Sequence, residues 1–408
     1  MKKRIIWALV LLFSSSIIFS QTIKPEKISK AIHFDKSKAL RDVEPIPIGE
    51  IQRTWKDNVI PNKFNIFKES LTDKTMIGPD PVLQDQMSGE RNEPTINENF
   101  SGIFNTYNVA PPDTQGDVGL DHYFQMVNSG FKIWDKNGTT LYGPADLSTL
   151  WDGFDGPWSG TNNGDPIVLY DEYADRWIAS QFSLPNGSGS PPYYELVAVS
   201  VTGDPLGEWY RYAYEFNRMP DYPKFGVWHN AYCFTTNQFS NGSSWYGGGI
   251  HMLDRDAMLS GDPDAEMVSF IMGSSYFSML PADADGSLLP PEDSPFYLVK
   301  LSSTSLRLIE VVVDWDDSSN NSATFVANLS VPSFSDDGIS ISQKGTSQKL
   351  EEISDRLMYR LQYRNFGDYE VMLTNHSVNT GSGRAGIRWY ELRDEGSGWY
   401  IYQQGTFG

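Results

Sequence analysis

One pattern recurs along this chain and limits what it can fold into: a short strand, a polar turn, then a second strand with an aromatic residue near its start. Residues 164–170 and 175–182 form one copy, 221–228 and 230–237 a second, 357–363 and 368–374 a third. Further short runs rich in apolar residues fill the sequence from Tyr123 onward, separated by Gly, Asn, Asp and Pro. Asp135-Lys-Asn-Gly138 and Asp394-Glu-Gly-Ser-Gly398 read as hairpin turns. Helical periodicity is confined to a short stretch at 254–259. The 12 Trp, 21 Tyr and 22 Phe supply rings for many packed β-surfaces, which disfavours a helical bundle or a disordered chain.

A sheet of about four short strands cannot bury both faces alone, whereas radial stacking of several such sheets does. The expected fold class is therefore all-β, a β-propeller of repeated four-stranded blades over residues 116–408, with five or six partial blades. Two β-sandwich domains are the competing layout, although no linker interrupts the recurrent units. Residues 21–115 are polar and punctuated by Pro, and read as an extended or partly disordered N-terminal segment that wraps the rest.

Residues 1–20 combine Lys2, Lys3 and Arg4 with an apolar run and a small-residue end, the pattern of a signal peptide. The expected location is secreted, periplasmic or on the outer cell surface, with no transmembrane anchor in the mature chain. The formal net charge is −20, so a nucleic-acid partner, which needs a cationic surface, is not expected. Cys233 is the one cysteine, so no internal disulfide forms, and its apolar strand context makes it a buried small hydrophobe.

The phrases GDPIVLYDEYADRWIASQF (164–182), DYPKFGVWHNAYCFTTNQF (221–239) and RLMYRLQYRNFGDYEVMLTNHSV (356–378) resemble a broad family of exported bacterial proteins with sialidase-type β-propellers. The resemblance covers about residues 114–408; it implies a propeller often found in longer modular surface proteins, and it assigns no reaction. In similar proteins further strands follow, so the last blade is expected to be incomplete at the C-terminus, with an unpaired edge. Relatives also tend to carry a Pro–acidic pair after the Trp of the second phrase, where this chain has Trp228-His229-Asn230. That makes His229 a weak candidate for an ancestral base.

No nucleotide fingerprint, CxxC or HExxH occurs, and the five His are far apart. Three candidate sets remain. Ring-rich loops carry Trp151, Phe154 and Trp158, and Trp245 with Tyr246, which suit stacking on sugar or a protein surface; capping the blade ends is their plainer role. Asp283, Asp285 and Ser287 alternate before and after Gly286, like the start of a calcium loop, so calcium is the expected cofactor; a solvated turn is the alternative. For catalysis on polysaccharide, a sialidase-like reaction needs Arg groups with Tyr and an acid, and eliminative cleavage needs His or Tyr with Arg. His122, Arg211, His229, Tyr359 and Arg360 are the available actors, with Arg356, Arg360 and Arg364 expected on one strand face. The main expectation is recognition of a glycan or cell-surface protein; a polysaccharide-active enzyme, either a sialidase-like hydrolase or a lyase, is the alternative.

Overall fold

The computed structural model describes residues 22–49, 80–84, 95–104, 111–336, 338–381 and 383–408; the expected signal peptide lies outside them. The N-terminal segment contributes three short strands, Thr22–Ile23 (β1), Lys27–Lys30 (β2) and His33–Lys36 (β3). Five four-stranded antiparallel blades follow in order, the last two joined in one nine-stranded sheet. The first is Gln115–Val118 (β4), His122–Val127 (β5), Gly130–Asp135 (β6) and Thr140–Asp146 (β7). The second is Ile167–Asp171 (β8), Arg176–Ser183 (β9), Tyr193–Ser200 (β10) and Trp209–Phe216 (β11). The third holds Met219–Val227 (β12), Ala231–Ser240 (β13), Ser244–Asp254 (β14) and Glu266–Ile271 (β15), with the helix Arg255–Ser260 (α1) between its last two strands. Leu280–Asp285 (β16), Phe296–Ser302 (β17), Ser305–Val312 (β18) and Ser322–Ser330 (β19) form the fourth. After the small ladder of Ile341–Ser342 (β20) with Lys349–Leu350 (β21) comes the fifth: Met358–Asn365 (β22), Glu370–Asn379 (β23), Ala385–Asp394 (β24) and Tyr400–Phe407 (β25).

The period-two alternation of these strands explains why the sheets stack radially. In β13, Tyr232 and Phe234 enter the core shared with the second sheet, while Ala231 and Cys233 enter the core shared with the fourth. In β10, Leu196 and Ala198 face the first sheet, and Val197 and Val199 face the third. Both faces of each of these two sheets are buried, so neither can be half of an isolated sandwich. The first strands contact one another in the order β4, β8, β12, β16, β22 and form the inner wall of a five-bladed β-propeller. The fourth and fifth blades share an inner strand. Leu280 and Pro281 of β16 pair with β17, and Ala282 to Asp285 pair in parallel with β22.

The N-terminal segment closes the outer rim. β1 pairs with β19, β2 with β15 and β3 with β11, so the chain visits the fourth, third and second blades in turn. Ile46 then bonds the first blade through Asp146 and Thr149. Residues 82–84 bond Thr406 of β25, and Asp80 pairs with Arg388 in a fully buried ion pair at 2.7 Å. The last sheet therefore has four strands, and the edge expected to be bare is covered at Thr406. One seam differs from the rest. Apolar cores join the first blade to the second, the second to the third, and the third, fourth and fifth together. Among the described residues none joins the fifth to the first.

Candidate active site at the heads of the inner strands

At the start of each of the first three inner strands stands an aspartate beside proline: Pro112-Asp113, Asp165-Pro166 and Pro220-Asp221. Asp113 and Asp165 adopt left-handed backbone, with φ of 39° and 42°, and Tyr222 next to Asp221 does so at 56°. Aspartate tolerates this region better than most residues and tyrosine does not, so three such positions around one axis are held by their surroundings. Asn128 ties two of them together: its amide donates to Asp113 and to the Pro111 carbonyl, and its Oδ1 accepts from the Asp165 N–H at 2.9 Å. All three aspartates remain half-buried, neither sealed in the core nor freely solvated.

Electrostatics mark the same place. Burial pushes the Asp165 carboxyl well above the usual carboxylate range, and the charges of Asp113 and Asp221 push it further, against the pull of Lys224. Asp165 also shares a hydrogen bond with Asp113. Asp221 is pushed up to about 6, chiefly by burial, with Arg356 opposing the shift. Lys224, itself buried, lies 3.9 Å from the centre of the Tyr222 ring and donates to the Pro223 carbonyl. Arg356 holds Asp355 with two bonds of 2.8 and 2.9 Å. Glu195, which feels the charge of Lys224, is fully buried; burial pushes its carboxyl far up, against the pull of a Ser180 hydrogen bond and of Lys224. The cluster thus combines carboxyls that burial pushes above their usual range with one pushed up to about 6, the equipment of acid–base catalysis.

Below this layer the axis is plugged. Tyr359 donates to the Phe225 carbonyl at 3.0 Å, and Arg360 bridges Asp117 at 2.9 Å and Asp283 at 3.0 Å. Of the residues singled out from the sequence, Tyr359 and Arg360 do reach the axis. The others do not join them. His122 sits 3.9 Å from Asp204, and His229 contacts the Ser294 carbonyl at 3.2 Å. Arg211 is buried, anchoring Asp35 of the N-terminal segment and the carbonyls of Leu150 and Asp152. Arg360, Gln362 and Arg364 line one cavity, whereas Arg356 belongs to the head cluster.

Two expectations need correction. Trp151, Phe154 and Trp158 are 7%, 1% and 3% exposed and belong to the core between the first and second blades. Their loop folds inward around His33, and the Trp158 Nε1–H is satisfied by the Phe154 carbonyl, so they offer no stacking surface. Trp245 packs edge-on against Phe239 and Phe277, leaving Tyr246 as the exposed ring of that loop, beneath Arg218. Asp283 and Asp285 are strand residues of β16 rather than loop ligands. Asp283 accepts from the Val227 N–H and pairs with Arg360, which leaves it poorly placed for an ion beside Ser287. Among the described residues no group of three or more His, Cys, Asp or Glu is arranged to hold a metal ion, and no helix is long and apolar enough to cross a membrane.

Asp113, Asp165 and Asp221 were missed in the sequence, although a signal was present. Each is an aspartate flanked by proline at the head of a strand unit, and two of them begin the phrases that define the repeat.

No protein-family model matches the chain, and no curated protein matches it. Among solved structures, it is similar to an exo-β-1,3-galactanase from Phanerochaete chrysosporium at 8% identity, covering 71% of this chain and 62% of that chain, with a TM-score of 0.36. A GH43 β-1,3-galactosidase is similar at 9% identity, over 71% of this chain and 92% of that chain, with a TM-score of 0.37. An α-L-arabinanase from Cellvibrio cellulosa is similar at 12% identity, over 71% and 94%, with a TM-score of 0.30. The chain thus spans less than two thirds of the length of the fungal galactanase. Likenesses this distant transfer neither a residue role nor an activity.

Proposed function

We propose that this protein is a glycan-active enzyme that cleaves glycosidic bonds with the carboxyls of Asp113, Asp165 and Asp221. The observation that carries the reading is their convergence: three successive blades deliver one half-buried carboxyl each to the same end of the axis, in enforced backbone geometry. Glycoside hydrolysis needs one carboxyl that gives a proton to the leaving oxygen and another that acts as base or nucleophile. Asp221, titrating near 6, suits the donor. Asp113 suits the base, with Asp165, whose carboxyl burial pushes well above the usual range, bonded to it and holding its orientation. Eliminative cleavage has less support, because His122, His229 and Arg211 lie apart and are engaged elsewhere. Recognition without cleavage loses its main basis with the burial of Trp151, Phe154 and Trp158. An exported setting, as the leader at 1–20 suggests, gives such an enzyme access to extracellular polysaccharide.

The test is a panel of neutral and acidic polysaccharides, followed for reducing ends and for the ultraviolet absorbance of unsaturated uronates. New reducing ends without that absorbance are expected. Unsaturated products, or binding across the panel with no product, would overturn the hydrolytic reading.

A further inference from the structure

We infer a second, non-catalytic site for an uncharged oligosaccharide, placed in the seam between the fifth and first blades at the opposite end of the axis from the aspartates. A cavity of about 960 Å³ opens there, at the upper end of the ~300–1,000 Å³ range of ligand sites. Its size suits several linked rings better than one. Arg356 belongs to the head cluster and Arg364 to this cavity, eight residues further along the same chain segment, with the ion-paired Arg360 and the bonded Tyr359 between them. The two recesses are therefore separate.

The lining has the chemistry of a sugar site. Alternation along β23 turns Leu373 and Asn375 toward the cavity, while Met372 and Thr374 face the core shared with the fourth blade. Gln362 and Asn375 add planar amides that match neighbouring hydroxyls. Trp389 is half-buried in the wall, and its Nε1–H is fixed by Gln84 Oε1 at 3.1 Å, which leaves the ring as an oriented platform. Leu120 and Leu373, 68% and 43% exposed, extend the apolar part of the wall for the non-polar face of a sugar ring.

Charge selects against an anion. Arg360 is already neutralised by Asp117 and Asp283, and the exposed Arg364 is outweighed by Glu172 and Asp285. An anionic glycan would meet a net negative wall.

The site rests on the glycan reading only for its ligand class, so its test is run on protein whose head cluster is disabled. The Asp165→Asn/Asp221→Asn double variant of the full chain is titrated by calorimetry and tryptophan fluorescence with cellotriose, xylotriose and β-1,3-galactotriose, and with trigalacturonate as the anionic control. At least one neutral trisaccharide is expected to bind, and trigalacturonate to bind tenfold or more weakly. Adding Trp389→Ala, or Gln362→Ala where the first variant fails to fold, is expected to weaken binding tenfold or more. Preference for trigalacturonate, no binding of any neutral trisaccharide, or binding unaffected by Gln362→Ala would overturn the site. Absence of polysaccharide cleavage by the wild type, with this binding intact, would overturn the catalytic reading alone.

Discussion

At the scale of single residues, the head cluster sets stability against chemistry. The folded pKa of Asp221, about 6, exceeds its ordinary value of 3.8, so the native state binds that proton more tightly than the unfolded chain. The stabilisation from this group is present at low pH and is lost as pH rises from about 4 through 6. Asp221→Asn removes the penalty of a buried charge. It is expected to raise stability by about 1–2 kcal/mol at pH 7.5 and to leave it unchanged at pH 3.5, read as melting temperatures by circular dichroism. A lower melting temperature at pH 7.5 would show that ion pairing with Arg356 outweighs burial. The sequence hides this behaviour because a carboxyl's pKa depends on neighbours that folding brings together: Asp165 follows Asp113 by 52 residues and Asp221 follows Asp165 by 56. It equally hides the inward turn of Trp151, Phe154 and Trp158. Gly and Asp around them announce a loop, but not that the loop's rings fill the gap between two blades.

At the scale of elements, the inner and middle strands were legible because their alternation is long enough to read; the rim was not. β1, β2 and β3 have two to four residues each, too few for a periodic signal, and they pair with strands roughly 180–300 residues away. Residues 283–287 resemble a metal loop in sequence, but parallel pairing of β16 with β22 extends the first three of them as strand. The rim contact with the largest expected energy is Asp80 with Arg388, where both side chains are fully buried. Asp80→Ala leaves the guanidinium uncompensated and is expected to cost about 3–5 kcal/mol in urea unfolding. Replacing both partners with apolar residues of similar volume is expected to restore much of that loss. A cost below about 1 kcal/mol for Asp80→Ala would mean that residues 80–84 do not hold the last blade.

At the scale of the whole molecule, the propeller and its radial burial follow from strands that are apolar on both faces, and the number of blades settles at five. The seam between the fifth and first blades was beyond reach, since no sequence pattern states which neighbouring blades lack a shared core. Ring geometry is what turns three distant Pro-flanked aspartates into one site, and that conversion is the central claim. It is tested most directly by the rate of reducing-end release from the best neutral polysaccharide, at pH 5.5, for the wild type and for Asp113→Asn, Asp165→Asn and Asp221→Asn. Each substitution is expected to lower kcat/KM by about 10²–10⁴ while the far-ultraviolet circular dichroism stays native. Rates within threefold of wild type in all three variants would contradict the assignment of catalysis to the inner-strand heads.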